Sequence, residues 1–120
     1  MRVLVLENDP ARLPWFERTY GQVVWVQTVP QAIAALEDAL YDYLYLDHDL
    51  DTEPAVGRDV AAWLIRHPHV QPGVRTICHS VNTVSGPKIA RELTAAGRPA
   101  VWVPYFDLVN LVLPWRAPAP

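Results

Sequence analysis

Along this chain, short dense runs of valine, leucine and aromatic residues alternate with longer stretches whose apolar positions recur at helical spacing. Arg2 to Glu7 is such a run and stops at Asn8-Asp9-Pro10, which predicts a buried strand followed by a helix start with Asp9 as N-cap and Pro10 at the first position. That helix is expected to reach about Tyr20, where Gly21 ends it, and Val23 to Gln27 reads as a second strand. Pro30 opens a second helix whose apolar residues Ile33, Leu36, Ala39 and Leu40 predict one face against a sheet. From Asp42 to Asp47, Tyr43 and Tyr45 alternate with Leu44 and Leu46, the composition of a third strand.

A loop rich in Asp, Glu and Pro follows, up to Gly57, and Arg58 to Arg66 then carries Val60, Ala61, Leu64 and Ile65 on one helical face. His67-Pro68 stops that helix, Pro72-Gly73 turns the chain, and Val74 to Cys78 gives a fourth strand ending at His79 and Ser80. A fourth helix is expected from about Ser85 to Gly97, with Ala100 to Val103 as the fifth strand. Strands alternating with helices predict an α/β fold with three layers, α/β/α, around a five-stranded parallel sheet. A flavodoxin-like strand order, 2-1-3-4-5, is the expected topology, with residues 1–105 as the domain and 106–120 as a short C-terminal segment ending in a Pro-rich tail.

Composition narrows the function classes more than it names one. The chain has 120 residues, 51% hydrophobic and 19% charged, a balance that folds as one domain without disulfides, and Cys78 is its single cysteine. A formal charge of −3 gives no global attraction to nucleic acid or anionic lipid, so a phosphate ligand must be drawn in locally. No apolar run approaches the roughly 18 residues of a spanning helix, so no membrane association and a cytoplasmic setting are the expectations.

The polar groups collect at strand ends. Glu7, Asn8 and Asp9 end strand one, Asp47, His48 and Asp49 end strand three, and His79, Ser80 and Asn82 end strand four, the rim where parallel sheets bind ligands. Asp47 facing Asp9 or Glu7 makes a hard oxygen site suited to Mg²⁺ or another divalent metal, or a carboxyl pair with separated pKa values. His48 and His79, from neighbouring strand ends, are candidates for base and acid on either side of one phosphate, with Asp47 and Asp49 beside them. Ser80, Asn82 and Lys88 are candidates for phosphate binding, though turn and capping chemistry explains the first two as well.

Leu46-Asp47-His48-Asp49-Leu50, Gly57, and His79-Ser80 with Asn82 resemble the motifs of the cyclic-phosphate-processing receiver-like domains, a group related to two-component receivers, over roughly Val3 to Val103. The resemblance implies a phosphoesterase-like domain that binds and hydrolyses a cyclic phosphate of a nucleotide or RNA end. It places Asp47 where a receiver has its phosphoacceptor, Glu7 to Asp9 at the acidic pocket, and His48 and His79 as added catalytic groups. The chain departs from a phosphorelay receiver at strand five, where Val103-Pro104-Tyr105 stands in place of the usual lysine, and in a final helix expected to shrink to a turn around Leu108 to Leu113. Two rival readings follow: a nucleotide-binding module that does not cleave, and a degenerate receiver that contacts proteins, including a homodimer through Leu108 to Trp115.

Overall fold

A computed structural model of the chain describes residues 1–49 and 57–110. Strands form where β-branched and aromatic residues are densest: β1 Val3–Leu6, β2 Val24–Val26, β3 Tyr43–Leu46, β4 Arg75–Cys78 and β5 Ala100–Trp102. All pairings are parallel and the order is β2-β1-β3-β4-β5, the expected topology. The helices are α1 Leu13–Tyr20, preceded by a tight 3₁₀ turn Pro10–Arg12, then α2 Val29–Asp38, α3 Gly57–Arg66, α4 Ser85–Ala95 and α5 Tyr105–Leu108.

The period-two alternation of the strands sorts the core into two faces. Val3, Val5, Tyr43, Tyr45 and Ile77 pack with Phe16 of α1 and Leu108 of α5. Leu4, Leu6, Leu44, Leu46 and Cys78 pack on the other side with Leu36 of α2, Leu64 of α3 and Leu93 of α4. Strands covered on both faces read as continuous apolar runs, which is why β1 and β3 are buried along their whole length. Each fully buried leucine of this kind contributes roughly 1.5–3 kcal/mol relative to exposure.

Helix ends account for two differences from the sequence expectation. Thr28 and Gln31 form a reciprocal capping box, so α2 starts at Val29 with Pro30 in its first turn. It stops at Asp38, because the buried side chain of Gln71 donates to the carbonyls of Leu36 and Ala39 and accepts from the Tyr41 N–H. Leu40 therefore lies past the helix and is 71% exposed, outside the core face assigned to it from spacing. Gln71 holds φ of +52°, a left-handed conformation sustained by these three bonds. The buried Arg98 guanidinium closes the end of α3 in the same manner, donating to the carbonyls of Leu64, His67, Val70 and Gln71.

Among the described residues the last helix is a single turn, Tyr105–Leu108, and of the turn expected around Leu108 to Leu113 the part from Leu111 lies outside the described residues. Leu108 is buried against the α1 face and is therefore no outward contact residue. Residues 111–120, including the Pro-rich end, lie outside the described residues, as do Leu50 and Asp51 of the strand-three loop. Among the described residues no helix is long and apolar enough to cross a membrane.

Candidate functional site

Register decides what meets at the rim. Leu6 pairs with Leu46 and Leu46 with Cys78, so the next residue on each strand falls in one transverse row: Glu7, Asp47 and His79. The row is held by backbone bonds, Asp47 N–H to the Leu6 carbonyl at 3.1 Å and His79 N–H to the Leu46 carbonyl at 3.0 Å. By the same alternation these three side chains follow Val5, Tyr45 and Ile77 on the α1 and α5 side of the sheet. Their ligand atoms lie within 4.8 Å of one another, and all three residues are buried.

Glu7 is the most heavily bonded group of the site. Its Oε1 accepts from His79 Nε2 at 2.9 Å and from Arg12 Nη1 at 2.9 Å, while Oε2 accepts the backbone N–H groups of Asn8 and Asp9, each at 3.0 Å. Burial by itself raises this carboxyl, but the bond and charge of His79, the Asp9 N–H and the Arg12 guanidinium outweigh it and hold Glu7 at about 2. Asp47 goes the other way. Burial, then the negative charge of Glu7 and the hydrogen bond shared with it, raise Asp47 to about 8. The two carboxyls therefore titrate as one coupled pair, with Glu7 held low and Asp47 raised.

His79 is fully buried, edge-on to the rings of Phe16 and Tyr45 at 5.7 and 5.9 Å. Burial lowers its pKa against the opposing hydrogen bond and charge of Glu7, with which Nε2 shares a bond of 2.9 Å. Nδ1 then has no hydrogen-bond partner among the described residues.

The two imidazoles do not face one phosphate from either side. His48 comes one residue after Asp47, and the alternation that sends Asp47 toward Glu7 turns His48 away. Its Nε2 lies 3.8 Å from Asp49 Oδ1, and it is absent from the lining of the rim cleft. That cleft has a volume of about 200 Å³ and is lined by Glu7, Asn8, Asp9, Arg12, Asp47, Asp49 and Val81. Its floor is fixed by a close approach: a Cβ on Gly57 would fall 2.0 Å from the Asp47 carbonyl oxygen, and the Gly57 N–H donates to the His48 carbonyl at 3.1 Å.

The expected phosphate contacts are placed elsewhere. Ser80 is fully buried and its Oγ accepts the Asn82 N–H, while Asn82 Oδ1 accepts the N–H groups of Val84 and Ser85 to open α4. Both perform turn and capping chemistry, and Trp102 Nε1 locks the segment by donating to the Ser80 carbonyl at 2.8 Å. Lys88 is exposed on α4 and does not line the cleft. Arg12, which sequence reasoning passed over, does. Its signal was an arginine five residues beyond a strand-end glutamate, just past a proline that tightens the first turn.

Glu7 and Asp47 offer oxygen donors that could hold a divalent cation. The third donor within reach is the imidazole of His79; Asp9, expected in this set, is half exposed and uses Oδ1 to cap the Ala11 N–H.

A five-stranded parallel sheet in this order is the flavodoxin-like arrangement that receiver domains share, here with buried carboxyl groups at the ends of its first and third strands. The chain belongs to the cyclic-phosphate processing receiver domain family, whose pattern matches residues 4–95. Among solved structures it is similar to the receiver domain of the sensor histidine kinase PA1611 of Pseudomonas aeruginosa, which has a magnesium ion coordinated in its active-site cleft, at 19% identity, 98% of each chain and a TM-score of 0.67. A CheY-like receiver domain from Methylobacillus flagellatus superposes with a TM-score of 0.68 at 18% identity over 92% of this chain and 93% of its own. One from Methanospirillum hungatei gives 0.65 at 17% identity over 91% and 87%. At these identities the likeness concerns the fold. No curated protein matches the chain.

Proposed function

We propose that the rim cleft binds a cyclic phosphate of a nucleotide or RNA end and hydrolyses it to the monoester. The observation that carries this reading is the buried Glu7–Asp47 pair at the floor of an open cleft, where burial and the charge of Glu7 raise Asp47 and favour its protonated form. Hydrolysis adds water oxygen to phosphorus and breaks one ring P–O bond, so the departing alkoxide needs a proton and the water must lose one. Asp47 donates the first. Asp49, 61% exposed and lining the cleft with His48 3.8 Å behind it, accepts the second. His79 touches no ligand in this scheme; it fixes the ionised state and orientation of Glu7, which in turn keeps the proton on Asp47. A divalent ion would be held by Glu7 and an Asp47 that has already released its proton, so it stands as the alternative to proton donation by Asp47, stabilising charge on the phosphate oxygens when bound.

Incubation of purified protein with 2′,3′-cyclic nucleotides and with cyclic dinucleotides, with Mg²⁺ and with chelator, tests the reading. Monoester or linear product from native protein, lost in Asp47→Asn, is the expected result. Absence of product from every substrate in a folded sample would contradict it.

A receiver that contacts a protein partner is the second reading, favoured by the exposure of Val84 at 74% and Phe106 at 63% on the loop before α4 and on α5. Concentration-dependent association abolished by Phe106→Ser, in a sample without hydrolytic activity, would favour it.

A further inference from the structure

We propose that Arg12 is the anion anchor of the cleft, the group that grips the phosphate; this rests on the reading above and assigns its phosphate contact. Among the described residues, the cleft lining contains four carboxyl groups, Glu7, Asp9, Asp47 and Asp49, and one cation, Arg12. A phosphate entering an acidic cleft needs a fixed positive contact at short range, since the net charge of the chain supplies no attraction. The polar groups at the end of strand four are engaged in the turn, Lys88 lies away from the lining, and strand five is followed by Val103 and Pro104. Arg12 is the group that remains.

Its placement is built from three segments of the chain. Nη1 is bonded to Glu7 Oε1 at 2.9 Å, and Nε lies 3.8 Å from Asp9 Oδ2. The guanidinium carbon sits 4.5 Å from the centre of the Tyr105 ring and 5.8 Å from that of Phe106, and Tyr105 is itself held by its N–H bond to the His79 carbonyl at 2.9 Å. A guanidinium carries five N–H donors, and Glu7 takes one of them. With 15% of the side chain exposed, the group is reachable from the cleft yet shielded enough for its charge to act strongly. A planar donor fork held by a carboxylate and stacked on an aromatic ring loses little freedom on gripping two phosphate oxygens at once.

Isothermal titration of inorganic phosphate and of 2′,3′-cyclic AMP into native protein and into Arg12→Ala, Arg12→Gln, Tyr105→Leu and Lys88→Ala, below the lowest melting temperature, decides it. The expected result is a loss of at least about tenfold in affinity for both probes in Arg12→Ala and Arg12→Gln, a smaller loss in Tyr105→Leu, and a change under about twofold in Lys88→Ala. Millimolar guanidinium should restore part of the affinity to Arg12→Ala and add nothing to native protein, a readout that a merely structural ion pair with Glu7 would not move. If Arg12→Ala does not fold, Arg12→Gln decides by the same threshold. Affinity within about twofold of native in the folded arginine variants would overturn the assignment while leaving the cleft reading in place. Native protein that binds neither probe would overturn both.

Discussion

The imidazole Nε2 of His79 lies 2.9 Å from Oε1 of Glu7, and neither side chain is more than 1% exposed. An imidazole and a carboxylate joined in this way form one buried unit, and removing either partner leaves the other unsatisfied. His79→Ala is therefore expected to destabilise the domain by about 2–4 kcal/mol, from the lost bond and the cavity together, read by urea denaturation. His79→Gln, which can still donate to Glu7, is expected to recover part of that loss. A change below about 0.5 kcal/mol in His79→Ala would contradict the structural role given to the ring.

Asp47 gives stability a distinctive pH dependence. Its folded pKa, about 8, lies above the ordinary carboxyl value, so between pH 4 and 8 the folded state holds a proton that the unfolded state has released. Stability from this group is thus present at low pH and falls as pH rises through 8. Glu7 has the opposite sign: held at about 2, it contributes stability above pH 4.5 that is lost as pH falls toward 2. His79, depressed by burial, also favours folding as pH rises toward its ordinary range, so the difference between native protein and Asp47→Asn isolates Asp47. The melting temperature of Asp47→Asn relative to native is expected to rise by roughly 4 °C or more between pH 5 and pH 8.5. A difference that does not vary with pH would show that Asp47 is ionised throughout.

The same proton controls cation binding. Asp47 must release it before its oxygens can coordinate, so stabilisation of native protein by Mn²⁺ or Mg²⁺ is expected to be larger at pH 9 than at pH 6 and to disappear in Asp47→Asn. Thermal melts with and without metal at the two pH values measure it. Equal stabilisation of native and variant would place the ion elsewhere.

Two glycines provide a contrast in the scaffold. A Cβ at Gly57 would collide with the Asp47 carbonyl, whereas Gly73 has open space within 4 Å. Gly57→Ala is expected to cost more than about 3 kcal/mol or prevent folding, because backbone rather than a movable side chain is in the way. Gly73→Ala should lie within about 1 kcal/mol of native. Chemical denaturation of both variants checks the pair, and a tolerated Gly57→Ala would mean that α3 does not bear on the end of β3.

The sheet order and the rim were legible because three apolar runs each end abruptly in polar residues, and period and turn chemistry are local properties. Which of those polar residues share a face was not. His48 and His79 look equivalent along the chain, and only the pairing of Leu46 with Cys78 reveals that Asp47 and His79 share a row while His48 is out of step with both. Leu40 was assigned to a helical face because spacing cannot see the side chain of Gln71, 31 residues later, ending that helix. Arg12 was missed because its place at the rim depends on the ring of Tyr105, far along the chain, as well as on Glu7.

The proposed hydrolysis requires the Asp47 proton and the open acidic cleft to break a cyclic phosphodiester together. Phosphorus NMR of 2′,3′-cyclic AMP incubated with native protein at pH 7 reads it directly. The account expects the cyclic resonance to give way to a nucleoside monophosphate resonance with native protein and to persist with Asp47→Asn; an unchanged cyclic resonance with folded native protein, with or without added divalent metal, would contradict it.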